Sequence, residues 1–194
     1  MSLIKIKKPN TDPYLFLSIC IFLVLISISF GSVPYLDGNI DFVKNYDFFS
    51  GGFTQLFRNW TSVHPPGKEF IVSLFFAIFG INSYSYTLIG PVFGVLGIVL
   101  LYSLILKLSD KKSAAIGAFL LAANPLFISV GIFGLTDYLL AIFVIGSFYF
   151  CLERKYILLL LFLNLSVLSK ETGLLLPISL ILTEIVLLKK TFSL

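Results

Sequence analysis

Charge is what this chain has least of. Only 12% of its 194 residues are charged, about half of the roughly 25% usual in soluble domains. A large soluble domain is excluded. Cysteine is scarce too. Cys20 and Cys151 both lie inside apolar runs, which leaves no disulfide framework and no sign of a cysteine metal site. His64 and Trp60 are the only residues of their kinds. No glycine-rich nucleotide fingerprint is present. Arginine is rare as well: lysine outnumbers it twelve to two, the usage of an AT-rich prokaryotic genome. The net charge of +4 does not point to nucleic acid. The basic residues sit in short clusters between apolar runs, as they do in membrane proteins.

What is there is hydrocarbon. The chain is 58% hydrophobic with a mean hydropathy of +1.00. Apolar runs occupy 14–30, 86–106, 113–133, 138–152, 156–168 and 174–188, and the longer ones have the length of membrane spans. The first run follows Lys5, Lys7 and Lys8. At 17 residues it exceeds the roughly 7–15 of a signal-peptide core, and no small-x-small site follows it. It reads as an uncleaved first span. A further run, 70–81, has only 12 residues, about 18 Å of helix against a hydrocarbon core of about 30 Å.

Charge placement decides whether that short run crosses. If it does not, and the N-terminus is cytoplasmic, ten lysines and arginines lie inside and four outside. If it crosses, the split reverses. The positive-inside rule prefers the first arrangement. The expectation is an all-α, polytopic helix bundle forming a single membrane domain. Residues 1–13 would be cytoplasmic, 14–33 the first span, 34–85 an outer loop with interfacial helices, 86–188 five further spans, and 189–194 a cytoplasmic tail. The setting implied is a prokaryotic plasma membrane.

The long loop opening at Asp37 is the only extended polar connection, and long loops in compact proteins are usually functional. Within it, Phe42, Tyr46 and Phe49 share one helical face while Asp41, Lys44 and Asp47 point away. That pattern is a short amphipathic helix on the membrane surface, ended by Ser50-Gly51-Gly52. Pro65-Pro66 is extended, and Pro66 or Gly67 opens the 70–81 helix. Asn59-Trp60-Thr61 matches a glycosylation sequon; Trp60 reads equally well as an interface anchor. Lys68 and Glu69 begin an otherwise apolar helix beside His64. Lys68 either snorkels to the headgroups or joins His64 in holding a lipid phosphate. The same choice applies to Lys170 at the tip of the last hairpin, with Glu171 as its nearest neutralising partner.

Six of the ten acids fall on the outer side. Asp137 stands out, because no other charge lies between Lys112 and Glu153. A carboxylate at the mouth of a span is costly unless it faces protein or water. It is either functional or an N-terminal cap of the next helix. Glu184, shortly before Lys189 and Lys190, reads as structural.

Taken together, one span, a long outer loop opening with Asp37, HPPGK before a helix ending in FG, GLTDYLL, and LSVLSKETGLLLP resemble the GT-C membrane glycosyltransferases. More narrowly they resemble the branch containing dolichyl-phosphate-mannose–protein mannosyltransferases and aminoarabinose transferases. It implies an inverting transfer of sugar from a polyprenyl-phosphate donor to a hydroxyl acceptor at the outer face. Asp37 would be the base and Asp137 a second catalytic carboxylate. His64, Lys68 and Lys170 would neutralise the donor phosphate. No cofactor is implied, and a divalent metal is compatible with the sequence without being demanded. The usual Asp-Glu motif is here Asp37-Gly38, which leaves Asp41 as a competitor for the base. Those enzymes continue with further spans, so the chain corresponds to their N-terminal module. A second chain is one source of the missing spans. The rival reading is a non-catalytic membrane protein that binds or transports a lipid-phosphate carrier, or a truncated inactive relative of those enzymes.

Overall fold

The computed structural model describes residues 12–28, 37–51, 64–133 and 136–192, and side chains within these except for 37–41 and 184–192. All regular structure among them is helical. The helices are α1 (Pro13–Ser27), α2 (Asp37–Gly51), α3 (Gly67–Phe79), the short α4 (Ser83–Thr87) and α5 (Ile89–Leu108). They continue with α6 (Lys111–Ala122), α7 (Pro125–Ile132), α8 (Thr136–Leu152) and α9 (Tyr156–Ser169). A 3₁₀ turn, Glu171–Leu174, leads into α10 (Leu175–Phe192).

Local chemistry sets the boundaries. Asp12 caps α1, its Oδ1 accepting the Tyr14 amide at 2.9 Å, with Pro13 as first helical residue; proline has no amide proton to leave unsatisfied there. Asp110 does the same for α6 through the Ser113 amide at 2.7 Å. Asn124 accepts the amides of Leu126 and Phe127 and starts α7 at Pro125. The 113–133 run, expected as one span, is therefore two helices bent by 51°. Asn124-Pro125 is the cause: the cap draws the chain out of helix, and Pro125 cannot return an amide to the preceding turn.

Helices α1, α5, α6, α8 and α9 form the bundle. Close approach depends on small residues, as in membrane helix pairs. Ala114, Ala118 and Ala122 on α6 are fully buried. At Gly94 of α5 a side chain would collide with the Phe22 ring and the Tyr138 hydroxyl. The Tyr138 hydroxyl donates to the Gly90 carbonyl at 2.6 Å, tying α8 to the start of α5. Phe143, Phe162 and Phe150 stack edge to face between α8 and α9.

The first helix runs antiparallel to α5. At one end of the bundle Asp12 meets Lys111 at 3.1 Å and accepts the Tyr102 hydroxyl, while Glu153 pairs with Lys107 and Lys155. At the other end lie the starts of α5 and α8 and the tip after α9. Helix α3 belongs to this second end at both its extremities. Gly67 abuts Leu168, and Phe76 packs on Phe42 and Phe49 of α2.

One expected face is corrected. Asn45 and Phe48 of α2 are buried with Phe42 and Phe49 half-buried, whereas Tyr46 is 44% exposed. The helix docks on α3 and Tyr86 through Phe42, so its inward stripe is set by protein contact, one position away from the aromatic pattern.

By length and composition, Ser83–Leu108, with 26 residues, is the helix among the described residues long enough to cross a membrane. The bent pair α6–α7 passes the same test when taken together. The apolar helices 13–27, 136–152, 156–169 and 171–183 are shorter.

Candidate active site

Three segments meet at the second end of the bundle. The first is His64-Pro65-Pro66-Gly67-Lys68-Glu69. Helix α3 begins at Gly67 with Pro66 in the cap position. A Cβ at Gly67 would stand 2.5 Å from the Leu168 carbonyl oxygen and 2.6 Å from its carbon. Glycine therefore lets the start of α3 lie directly on the last turn of α9. The second segment is the tip itself. Lys170 leaves the helix in extended conformation, and its carbonyl accepts the Gly173 amide at 2.8 Å. Gly173 lies so close under the Ser166 carbonyl that no side chain fits. The third is the first turn of α8, with Thr136 and Asp137.

The tip reaches both ways. Lys170 Nζ donates to Asp137 Oδ1 at 2.7 Å, and Glu171 Oε2 lies 2.9 Å from His64 Nδ1. Adjacent residues thus connect segments 33 and 107 positions away. Lys170 is neutralised by Asp137, where the sequence suggested neighbouring Glu171. Asp137 lies within the first helical turn and serves as partner to a cation. Exposed ion pairs of this kind contribute only about 0.2–1 kcal/mol, so their significance is orientation. The hydrogen bond from His64, joined by the Lys170 charge, holds the Glu171 carboxyl below its ordinary value.

Lys68 is only 3% exposed and Glu69 is buried beside it. An ammonium so desolvated is held by polar partners and interacts strongly with any anion admitted to it. Asp37 is the first residue of α2, but its side chain, like that of Asp41, lies outside the described residues. The backbone of α2 sits at this end through Phe42, which stacks on Tyr86. The Tyr86 hydroxyl donates to the Phe133 carbonyl at 3.4 Å, three residues before α8 begins.

His64, Asp137 and Lys170 are thus drawn into one linked cluster, with Lys68 on the adjoining turn. Sequence reasoning missed two contributors. Glu171 was read only as a neighbour of Lys170, and Gly67 only as a helix start. The spacing H-P-P-G-K was the available signal for Gly67, because a glycine between a diproline and a charged helix start marks close backbone approach. Among the described residues no three His, Cys, Asp or Glu side chains gather as a metal site would need.

The described residues form an all-helical bundle of membrane composition, with His64, Lys170, Asp137 and Glu171 linked where HPPGK, α8 and the α9 tip meet. A family model described as dolichyl-phosphate-mannose-protein mannosyltransferase matches residues 63–193, about two thirds of the chain. The chain belongs to that family, one of membrane glycosyltransferases that use polyprenyl-phosphate sugar donors. The matched stretch contains His64, Lys68, Asp137, Lys170 and Glu171 and excludes Asp37. Nothing among the curated proteins or the solved structures matches the chain.

Proposed function

We propose that this chain forms the donor end of an inverting glycosyltransferase, passing sugar from a polyprenyl phosphate to a hydroxyl at the outer membrane face. The observation that carries the reading is the convergence of HPPGK, Thr136-Asp137 and the Lys170-Glu171 tip, sealed by the 2.7 Å and 2.9 Å pairs. The topology proposed with it has six spans and cytoplasmic termini, with α3 lying across the outer end. Helix α9 has 14 residues, about 21 Å against a core of about 30 Å. Its tip then sits near the hydrocarbon boundary, where a cation requires an anionic partner. Asp137 supplies that partner at rest, and the donor phosphate supplies it in the complex.

In this mechanism Lys68 and Lys170, with His64, carry the charge that develops on the leaving phosphate, a preorganised electrostatic role. Asp137 fixes Lys170 before the donor arrives. Asp37 takes the acceptor proton as the hydroxyl attacks from the opposite face of the sugar. A positioned base of this kind contributes about 10²–10⁴-fold. The direct test is sugar transfer from a radiolabelled polyprenyl-phosphate donor in proteoliposomes. Asp37→Asn should abolish transfer while donor binding persists.

One observation favours a second reading, in which the chain binds a lipid-phosphate carrier without chemistry. Two carboxylates of the cluster, Asp137 and Glu171, already have partners in Lys170 and His64. On that reading Asp37→Asn is silent, while Lys68→Ala and Lys170→Ala still weaken carrier binding.

A further inference from the structure

The opposite end of the bundle carries a feature that the transfer reaction does not use. A groove of about 630 Å³ lies between α1 and α6. It is lined by Tyr14, Leu17, Ser18, Ala115, Ile116 and Phe119, with Lys111 and Lys112 at the start of α6. Tyr14, Leu17, Ile116 and Phe119 are all strongly exposed. From Lys112 to Phe119 the groove follows α6 for seven residues, about 10 Å. The neighbouring lysine is spoken for, since Lys111 pairs with Asp12 at 3.1 Å. Lys112 makes no ion pair among the described residues. The acids nearby are committed as well: Asp12 accepts from Tyr102 and Tyr14, and Asp110 caps α6.

We propose that this groove binds an anionic phospholipid, its phosphate on Lys112 and an acyl chain along Leu17, Ile116 and Phe119. An apolar trench headed by a cation that has no ion pair among the described residues, with a tyrosine at the same level, matches a lipid with a charged headgroup. Charge complementarity separates this occupant from the chain's own first eleven residues. Those carry Lys5, Lys7 and Lys8 and no carboxylate, and so repel the rim. The site stands apart from the donor end and does not depend on what is transferred there.

Trp60 is the only tryptophan, so a Trp60→Phe, Phe119→Trp chain carries one indole, in the groove. This full chain is reconstituted in phosphatidylcholine nanodiscs and quenched with increasing brominated phosphatidylglycerol, or with brominated phosphatidylcholine. The expected result is half-maximal quenching at a lower fraction of phosphatidylglycerol than of phosphatidylcholine. Adding Lys112→Ala should raise the phosphatidylglycerol requirement about fivefold, the contribution of one lysine near an anionic headgroup. Lys155→Ala, at the same end but paired with Glu153, should leave it unchanged. Equal quenching by the two lipids, or no effect of Lys112→Ala, would overturn the proposal. So would protection of the indole from both lipids together with a Phe119-dependent dimer in cross-linking, which would make the groove an interface between copies.

Discussion

Replacing Gly67 by alanine perturbs the site without touching any of its charges. The new Cβ would sit 2.5 Å from the Leu168 oxygen and 2.9 Å from the Leu168 Cβ. Ordinary contact begins at 3.4 Å, so α3 and α9 must separate by about 0.9 Å at this point. The obstacle is backbone, which cannot rotate away as a side-chain tip can. Overpacking of this kind costs about 1–3 kcal/mol, and for a chain of this size each kcal/mol lowers Tm by about 2–4 °C. The functional effect should be larger than the stability effect. The shift moves Lys68 and His64 away from Lys170 and Glu171 together, and a misplacement of about 1 Å at a reacting centre costs around 10²-fold in rate. The assay pairs a thermal melt in detergent with polyprenyl-phosphate binding and transfer in proteoliposomes. Gly117→Ala is the control, because its new Cβ meets only the flexible end of Ile105. If Gly67→Ala keeps wild-type Tm and wild-type binding, the α3–α9 contact does not position the cations, and the reasoning fails.

Removing the buried Lys68 should weaken polyprenyl-phosphate binding far more than Lys44→Ala, because Lys44 lies on an exposed face of α2 where salt screens it; equal small effects in a binding titration would return Lys68 to a structural role. Acid should loosen the tip. Glu171 is held below its ordinary value of 4.5, chiefly by the hydrogen bond from His64, so the stability this carboxylate contributes is present above that value and is lost as pH falls through the lowered one. Melts taken from neutral pH downward should show this loss, and Glu171→Gln should remove that component of the slope. Asp137→Asn should reduce transfer less than Asp37→Asn, chiefly by loosening Lys170, with the deficit in KM for the donor. A cysteine at Ser109 should be labelled only from the cytoplasmic side; labelling from outside would mean that α3 crosses the membrane.

The all-helical character was legible because long apolar runs have few alternatives. Each apolar run is helical, the 113–133 run as two helices, and among the described residues Ser83–Leu108 is the single helix long enough to cross a membrane by itself. The break at Asn124-Pro125 was legible too, but the length of the 113–133 run masked it. Pairings across the fold were out of reach. Nothing local tells Lys170 to prefer Asp137, 33 positions away, over the carboxylate next to it. Lys170 is extended while Glu171 opens the 3₁₀ turn, and across this change of backbone the two side chains reach different segments. The inward stripe of α2 was misread for a related reason. Aromatic periodicity marks a membrane-facing surface and a protein-facing one alike, and the α3 contact selected Asn45 and Phe48. The charge cluster of Asp12, Tyr102 and Lys111 was missed, although Asp12-Pro13 is itself a helix-start signature.

In the proposed site the α3 start and the hairpin tip grip the same phosphate. A double-mutant cycle on polyprenyl-phosphate binding measures this directly, using Lys68→Ala, Lys170→Ala and the pair combined. If both ammonium groups face one phosphate, the losses should not add, and the coupling should exceed about 0.5 kcal/mol. Strict additivity, with each single loss preserved in the double variant, would mean that the two lysines serve separate places and would contradict the shared site.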